Sequence, residues 1–506
     1  MCRRTKRKGA FKLVSKRKVL YISHNHPSVR PGGAEAYALE LYEEMRASEK
    51  FEPIFLAKGG PPLSETGRLH NGTHFGPINK DNNQYFFYTD GYVFDWLYGT
   101  INSDKEIYTK HFHEFLITFQ PDVVHFQHTL HLGYDLIRQT RNSLPNAVII
   151  YTLHEFLPIC HRQGQMVRTE HQNRELCHES SPRRCHECFP DISPQTFFMR
   201  KRFVQSHFSL VDLFLVPSRF LLERYVEWGI PQDKIQFEEY GRRTVQKIIK
   251  SEDEEPGDVL EGPGVAATRQ SSERQDPAED DEPDEPRQGR SGLLETQRLS
   301  DRGLAADTAT STTKNRVGFF GQLTPFKGLH VLLEAMKILG EEECDAQLWL
   351  HGANLDLQPI PYQNKIKEML EATEQNVTLV GRYDHDELPT LMASIDWVVM
   401  PSIWWENSPL VIQEAFFHGR PVICSDIGGM AEKVTDGVNG LHFRVGDPRS
   451  LARTIRWATS SPTLWEALQR GIPEIYKIEE SATKLSEIYR TLLDSKTSEG
   501  GTSYAG

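Results

Sequence analysis

Short apolar runs rich in β-branched residues alternate with amphipathic stretches in both halves of this chain, and no other feature limits its fold so strongly. The first half holds such runs at residues 19–22, 54–56, 122–126, 147–151 and 213–216. The second half holds them at residues 317–320, 347–350, 377–380, 397–400 and 421–424. Short, nearly continuous apolar runs are typical of strands that helices cover on both faces. The pattern predicts an α/β protein with two doubly wound parallel sheets.

Helices between these strands are predicted from apolar residues that recur at helical spacing. Such periods fall at residues 219–228, 329–340, 361–375, 386–394 and 409–418. Ser218 is a suitable N-cap for the first of these helices. In sheets of this kind, ligands bind beyond the carboxyl ends of the strands, and two facing units form a cleft. We therefore expect the functional residues to follow strands.

The middle of the chain has a composition that cannot support a folded core. Residues 251–300 contain fifteen Asp and Glu against five Arg, and no aromatic residue lies between Tyr240 and Phe319. Such a segment buries too little apolar area to offset its chain entropy, so residues 250–314 are predicted to be a disordered acidic insert between two domains. The formal net charge of −12 comes mostly from this insert and therefore says nothing about an acidic binding surface.

The composition also excludes several classes of protein. No run of about 18 apolar residues is present, so a membrane-spanning helix is not expected. Seven cysteines in 506 residues, and a basic start that no apolar signal segment follows, indicate a cytoplasmic protein without a disulfide framework. Nothing in the sequence predicts nucleic-acid binding.

Residues 1–18 carry nine Lys and Arg and no acid, and two interpretations of this basic tail stay open. It is either solvated, or it holds the protein weakly to anionic lipid at the inner face of a membrane, at roughly 1 kcal/mol per basic residue. Beyond the tail and the insert, the predicted domains are residues 19–249, residues 315–480, and a C-terminal helix and tail at 481–506.

Two strand ends of the first domain carry candidate binding residues. Gly32 and Gly33 stand in the turn after the first strand, and His154 directly follows the strand at 147–151. Glycines at a strand-to-helix turn let a phosphate approach the backbone amides, although a plain tight turn is the alternative. A neutral imidazole can donate to a hydroxyl or accept from one, although a purely structural histidine has the same pattern.

The second domain has the densest group of candidates. Glu406 lies in a loop after a strand, a helix opens near Ser408, and Glu414 lies about two turns along that helix. Amides at a helix start suit a diphosphate, and carboxylates suit sugar hydroxyls. Lys327, in the turn that begins at Gly321, can neutralise a leaving phosphate. The alternative is that these are surface charges that stabilise helix ends and turns.

Taken in order, these motifs resemble those of the retaining glycosyltransferases of the GT-B fold, specifically family 4. The resemblance covers both halves of the chain. It rests on the turn Gly32-Gly33-Ala34-Glu35, the pair His154-Glu155, the turn from Gly321 to Gly328 with Lys327, and the Glu406-x7-Glu414 signature. It implies two Rossmann-like domains that face each other across a cleft, with a final helix at about 481–495 packed back on the first domain.

The resemblance also implies a role for each matched residue in binding a nucleotide-sugar donor. The catalytic residues would be His154 near the 6-hydroxyl of the donor sugar, Lys327 on the diphosphate, and Glu406 on the sugar hydroxyls. The donor-binding residues would be Gly32, Gly33, Gln322, Arg382, Tyr383, Asn407, Ser408, Pro409, Leu410, Val411 and Glu414. Within that set, Glu414 would bind the ribose diol, and the backbone at 382 and 383 would meet the base.

The chemistry implied by the resemblance moves a sugar from a nucleoside diphosphate to a hydroxyl of a glycan or lipid-linked acceptor, without a catalytic metal and with the anomeric configuration kept. Gln322 departs from the family, because many relatives carry an arginine there. Leaving-group stabilisation would therefore depend more heavily on Lys327. Two alternatives stay open, namely a sugar-nucleotide 2-epimerase of the same fold and a sugar-nucleotide-binding protein of weak activity.

A separate group of four cysteines lies in the loop at 156–190. Cys160, Cys177, Cys185 and Cys188 fall within 29 residues, with several histidines among them. Four thiolates around one zinc ion would fix a long loop that has little core of its own. Reduced free thiols or a redox pair are the alternatives. We expect the four cysteines to bind a structural zinc ion, although their spacing matches no standard zinc finger.

Overall fold

The computed structural model of the protein describes residues 16–29, 32–59, 75–78, 81–88, 94–101, 105–168, 175–243 and 313–500. All of them belong to one compact unit, Met1–Thr244 with Ser311–Gly506. The second unit, Val245–Thr310, lies outside the described residues, as do most of the predicted basic tail and acidic insert. Lys314 already belongs to the folded second lobe, because the Trp397 indole N–H donates to its carbonyl oxygen at 2.9 Å.

The first lobe is a mainly parallel sheet with helices packed on it. Its strands are β1 (Lys18–Ser23), β2 (Glu52–Gly59), β3 (Phe75–Ile78), β4 (Asp81–Tyr88), β5 (Phe94–Asp95), β6 (Thr100–Ile101), β7 (Val123–Phe126), β8 (Val148–Thr152), β9 (Leu213–Val216) and β10 (Ile235–Phe237). Its helices are α1 (Gly33–Ala47), α2 (Lys105–Phe119), α3 (Asp135–Ser143), α4 (Pro182–Cys188), α5 (Pro194–Phe208) and α6 (Arg219–Trp228). Eight strands form one sheet in the order β10-β9-β8-β7-β1-β2-β4-β3, while β5 pairs with β6 separately.

The second lobe repeats this architecture with a fully parallel sheet. Its strands are β11 (Arg316–Gln322), β12 (Gln347–Ala353), β13 (Val377–Gly381), β14 (Trp397–Met400), β15 (Val422–Ser425) and β16 (Gly440–Phe443), in the sheet order β13-β12-β11-β14-β15-β16. Its helices are α7 (Leu329–Glu341), α8 (Ile360–Glu371), α9 (Leu388–Ala393), α10 (Leu410–Phe417), α11 (Gly428–Lys433), α12 (Pro448–Thr459), α13 (Pro462–Arg470) and α14 (Ile478–Gly500).

The predicted fold class, two doubly wound parallel α/β sheets, is confirmed. Each of the ten predicted strands is present, with ends that differ by at most three residues. The first sheet departs from the prediction at its edge, where β3 runs antiparallel to β4. Pro77 is tolerated in β3 because this is an edge strand. Helix α6 matches its predicted range, and the Ser218 side chain accepts from the Leu221 N–H at 3.1 Å.

The last helix, α14, packs against the first lobe. Its buried residues join the apolar cluster of β1 and α1, and those residues are Ile478, Ala482, Leu485, Tyr489 and Leu493. The chain therefore crosses back from the second lobe to the first, the position that the resemblance implied for the final helix. Within the described residues, no helix is both long enough and apolar enough to cross a bilayer.

Candidate active site

A cavity of about 500 Å³ lies between the two lobes, where carboxyl ends of strands from both sheets meet. The first lobe contributes residues that follow β1 and β8, and the second contributes residues that follow β11 and β14. The predicted site residues that line it are Gly33, His154, Gln322, Lys327, Glu406, Asn407, Ser408, Pro409, Leu410, Val411 and Glu414. Most of the residues chosen from the sequence therefore lie around one cavity.

Three predicted residues, all in the described part of the chain, do not line this cavity: Gly32, Arg382 and Tyr383. Gly32 precedes the lining residue Gly33 as the N-cap of α1. Tyr383 lies one layer behind the cavity wall, because its ring meets that of the lining residue Phe320 at 5.7 Å. Burial raises the pKa of Tyr383, and so does the nearby carboxylate of Glu414.

Lys327 and Glu406 form the charged centre of the cavity. Lys327 Nζ donates to Glu406 Oε1 at 2.6 Å, and the Ser402 hydroxyl and the Trp404 indole N–H donate to the same oxygen at 2.8 Å each. Burial raises the pKa of Glu406, but the ammonium of Lys327 and these donors outweigh it, so the net pKa is lowered. The buried carboxylate therefore stays ionised and can accept further hydrogen bonds from sugar hydroxyls.

The N-terminus of α10 faces the same space. Its N-cap is Pro409, and no side chain of the described residues caps it. The Ser408 hydroxyl beside it is buried and finds no hydrogen-bond partner within the described structure. A helix start with unpaired donors carries a partial positive charge that suits a phosphate group. The start of α10 can therefore hold an anionic group.

The first lobe approaches this helix at Gly33. A Cβ atom added at Gly33 would lie 3.2 Å from Leu410 Cδ1, so the missing side chain lets α1 and α10 begin close together. Gly33 is the first residue of α1. Two helix N-termini, one from each lobe, therefore converge on the cavity, and both favour an anionic ligand.

Glu414 has a partner that the sequence did not reveal. Arg242 Nη2 donates to Glu414 Oε1 at 3.1 Å, and Arg242 Nη1 lies 3.3 Å from Glu40 Oε1. A ribose diol at Glu414 would therefore meet a carboxylate that Arg242 already orients. Gln322 lies at the carboxyl end of β11 and lines the cavity with an uncharged amide.

His154 lines the cavity, but both of its ring nitrogens have partners within the protein. Nδ1 lies 2.5 Å from the Tyr240 hydroxyl, and Nε2 lies 3.1 Å from Gln127 Oε1. The His154 carbonyl accepts from the Asn407 side-chain amide of the other lobe at 2.7 Å. Burial holds the pKa of His154 well below its ordinary value, and nearby histidines add to this, so the ring is neutral.

Two family descriptions match the chain, one on each lobe. Glycosyltransferase Family 4 matches residues 31–237, and Glycosyl transferases group 1 matches residues 314–461. The chain belongs to glycosyltransferase family 4. Most of the predicted acidic insert lies between the two matched ranges.

Individual members of the family match over shorter stretches. The glycogen synthase of Mycobacterium tuberculosis (strain CDC 1551 / Oshkosh) is 27% identical over 175 residues, which are 34% of this chain and 41% of that protein. The D-inositol 3-phosphate glycosyltransferase of Corynebacterium urealyticum (strain ATCC 43042 / DSM 7109) is 30% identical over 185 residues, which are 35% of this chain and 43% of that protein. The chain thus spans less than half the length of either relative.

Solved structures match over nearly the whole chain. Sucrose-phosphate synthase from Thermosynechococcus elongatus gives a TM-score of 0.61 at 16% identity and covers 95% of this chain and 100% of its own. HepE of Anabaena, in complex with UDP-glucose, gives a TM-score of 0.54 at 15% identity and covers 94% of this chain and 99% of its own. At these identities the likeness establishes the GT-B fold and nothing more.

The expectation of structural zinc in this family 4 chain is not supported. Cys160, Cys177, Cys185 and Cys188 do line one small pocket. However, no group of three or more His, Cys, Asp or Glu in the described residues is arranged to hold a metal ion. The four cysteines therefore share a pocket, but among the described residues they are not arranged as a metal site.

The cysteine loop nevertheless bears on the site, because it packs against the loop that carries Glu406. The Trp405 indole N–H donates to the Cys177 carbonyl at 3.1 Å, and the Trp405 ring packs against Phe220 at 4.9 Å. Trp405 also lines the cavity. Its position was not predicted from the sequence, although it lies directly before Glu406 in the motif.

Proposed function

We propose that this chain is a retaining glycosyltransferase that moves a sugar from a nucleoside diphosphate to an acceptor hydroxyl. The observation that carries the proposal is the convergence of Lys327, Glu406 and the N-termini of α1 and α10 on one cavity between the lobes. Two dipole ends and a lysine provide positive charge for a diphosphate, while a buried carboxylate provides acceptors for sugar hydroxyls.

The proposed donor is a UDP-sugar. HepE, which shares the fold, is described in complex with UDP-glucose. The diphosphate would lie between Lys327 and the amide N–H groups of Ser408, Leu410 and Val411, with Gly33 closing the opposite side. The sugar would contact Glu406, the ribose would contact Glu414, and the base would reach the backbone near Arg382 and Tyr383.

In the proposed mechanism, the acceptor hydroxyl attacks the anomeric carbon on the face from which the diphosphate leaves. The bond from the anomeric carbon to the phosphate oxygen breaks, the new glycosidic bond forms, and the leaving phosphate takes the proton of the acceptor. Lys327 and the α10 amides stabilise the developing phosphate charge, and the enclosing lobes exclude water. No carboxylate forms a covalent intermediate, and the cations of the protein replace a catalytic metal.

The proposed acceptor is a glycan or a lipid-linked glycan in polysaccharide or glycolipid assembly. A structure with the same fold is described as the lipopolysaccharide outer core galactosyltransferase WaaB, and a relative that is 28% identical over 128 residues as lipopolysaccharide 1,2-N-acetylglucosaminetransferase of Salmonella typhimurium. The basic residues 1–18, most of which lie outside the described structure, would add a peripheral contact with anionic lipid.

The test is a donor screen scored by release of free nucleoside diphosphate, with and without a pool of acceptors and with and without EDTA. We expect release that needs an acceptor, that EDTA does not reduce, and that yields a product with the anomeric configuration of the donor by NMR. Conversion of the donor sugar without any acceptor would instead identify a 2-epimerase. Donor binding by calorimetry without any transfer would identify a binding protein.

A further inference from the structure

The His154 ring ends a chain of hydrogen-bonded buried side chains that the mechanism above does not use. This series of hydrogen bonds starts on α14 at Tyr489, whose hydroxyl lies 2.7 Å from His125 Nδ1. His125 Nε2 lies 3.3 Å from the side-chain amide nitrogen of Gln127, and Gln127 Oε1 lies 3.1 Å from His154 Nε2. Tyr489, His125 and Gln127 have no solvent exposure, so no water competes for these bonds.

Gln127 fixes which group donates in every hydrogen bond of this series. An amide nitrogen only donates and an amide oxygen only accepts. In this orientation of the amide, His154 Nε2 faces the oxygen and carries a proton, whereas His125 Nε2 faces the nitrogen and carries none. The rest of the chain agrees, because an unprotonated His125 Nε2 can also accept from the Thr152 hydroxyl at 2.7 Å.

The same assignment sets the bond between His154 and Tyr240. With its proton on Nε2, neutral His154 has a lone pair on Nδ1, so the Tyr240 hydroxyl donates to it at 2.5 Å. A phenol oxygen that donates one hydrogen bond still has lone pairs that accept. Tyr240 lines the cavity, whereas both nitrogens of the His154 ring are used within the protein.

The groups around His154 favour the neutral ring. The titratable neighbours that act on it are the imidazoles of His24, His125 and His128, and the ring of His128 stacks parallel to it at 6.4 Å. The rings that pack against it are those of Tyr37 and Tyr240. Two carboxylates of this region pair with other imidazoles: Glu155 Oε1 lies 3.3 Å from His128 Nε2, and Glu35 Oε1 lies 2.9 Å from His24 Nε2.

We propose that Gln127 is a positioning residue that holds His154 in the neutral tautomer protonated on Nε2, and that Tyr240, oriented by His154, accepts a hydrogen bond from a sugar hydroxyl in the cavity. The second part rests on the proposed function, since it needs a sugar ligand. It changes the role that the family resemblance implied for His154: the ring orients a tyrosine, and the tyrosine hydroxyl contacts the sugar.

The first test reads the tautomer directly and needs no activity. The full chain is labelled with ¹⁵N-histidine, and ring nitrogen shifts are recorded from pH 6 to pH 8, with His154 assigned from the spectrum of His154→Gln. We expect Nε2 to be protonated and Nδ1 unprotonated across this range. A proton on Nδ1, or titration of His154 within this range, would overturn the assignment, because the Gln127 amide would then be reversed or inactive.

Gln127→Glu keeps the shape of the side chain but places a carboxylate against the two imidazoles. A nearby negative charge favours imidazolium, so His154 should gain a second proton and titrate between pH 6 and pH 8. Gln120→Glu, the same change at an exposed site, should leave the His154 signals unchanged. If Gln127→Glu folds, by circular dichroism, and His154 stays neutral, Gln127 does not set its protonation.

Tyr240→Phe tests the contact with sugar separately. It keeps the ring that packs on Tyr37 and removes only the hydroxyl, so the fold and the His154 tautomer should persist. We expect the affinity for UDP-glucose to fall about 3- to 10-fold, as for the loss of one hydrogen bond, and the affinity for UDP to stay unchanged. If Tyr240→Phe lowers the affinities for UDP-glucose and UDP equally, or lowers neither, Tyr240 does not contact the sugar. If wild-type protein binds no UDP-sugar, the proposed function fails while the tautomer assignment stands.

Discussion

Lys327 Nζ lies 2.6 Å from Glu406 Oε1, so the two charged groups that the proposed reaction needs are already paired with each other. Lys327 follows β11 and Glu406 follows β14, and these strands are neighbours in the second sheet. An incoming diphosphate can attract Lys327, while the Ser402 and Trp404 donors continue to hold the carboxylate. Removing either partner leaves the other charge uncompensated in a partly buried place.

Lys327→Ala should lower kcat/KM for transfer by about 10²–10³-fold, because the leaving phosphate loses one positioned charged donor. Lys327→Arg keeps the positive charge, so its kcat/KM for transfer should fall less. Steady-state kinetics with the donor found in the screen measures the effect, and Lys337→Ala, on the exposed face of α7, is the control. Wild-type kinetics in Lys327→Ala would remove the lysine from the site.

Glu406→Gln should lower stability in a way that depends on pH. The folded protein holds the pKa of Glu406 below its ordinary value, so ionised Glu406 stabilises the fold above the unfolded pKa, and this contribution is lost as pH falls through the folded pKa. We expect the variant to be about 1–3 kcal/mol less stable than wild type at pH 7. The difference should shrink below about pH 4, where the unfolded carboxyl is protonated.

Urea denaturation of Glu406→Gln and wild type at several pH values measures this difference. Glu334→Gln, at an exposed position of α7, removes one carboxylate without a buried partner and serves as the control. A stability difference that stays constant with pH would mean that the charge of Glu406 does not contribute.

The features that the sequence predicted are local ones. Lys327 and Glu406 each follow an apolar strand within a few residues, and the parallel sheet then places both strand ends at one edge. Tyr240 could not be found in this way, because it contacts His154 across 86 residues of sequence and follows β10, which the apolar pattern missed. Arg242 reaches Glu414 across 172 residues. The first contact depends on how distant segments of the first lobe pack, the second on how the two lobes dock, and no local pattern records either arrangement.

The four cysteines illustrate a different limit. Their clustering in the sequence predicted a zinc site, but the structure places them around one pocket without a metal site among the described residues. Metal binding needs more than proximity, since the sulfurs must point at one centre at bonding distance. Cys185 and Cys188 lie on α4, while Cys160 and Cys177 come from separate loop segments, so the spacing could not specify these directions.

Gly328→Ala should disturb the site much more than Gly437→Ala. Both glycines have a left-handed backbone, with φ of 71° and 72°. A Cβ atom at Gly328 would lie 1.8 Å from the Pro401 carbonyl oxygen, whereas one at Gly437 would meet nothing within 4 Å. Gly437→Ala should therefore cost only the backbone strain, about 1–2 kcal/mol. Gly328→Ala must also displace the start of the loop that carries Glu406.

Thermal unfolding and transfer kinetics of these two variants separate strain from displacement. We expect Gly437→Ala to lose some stability and keep its kcat, and Gly328→Ala to lose more stability and most of its kcat. Equal effects in the two variants would mean that the contact with Pro401 does not position the loop.

Glu432→Ala should weaken the closed arrangement of the lobes. Glu432, from α11 of the second lobe, accepts from the backbone N–H groups of Arg219 at 2.8 Å and Phe220 at 2.9 Å, at the start of α6 in the first lobe. A carboxylate at a helix N-terminus is stabilised by the helix dipole, although the exposure of Glu432 to solvent screens this effect. Because Glu432 lies outside the cavity lining, its loss should raise the donor KM several-fold and change kcat little.

Small-angle scattering of Glu432→Ala should detect a larger radius of gyration than in wild type. Glu466→Ala, at an exposed position of α13, is the control and should change neither the donor KM nor the radius of gyration. If kcat fell while KM and the radius of gyration stayed at wild-type values, Glu432 would act on the chemistry and not on closure.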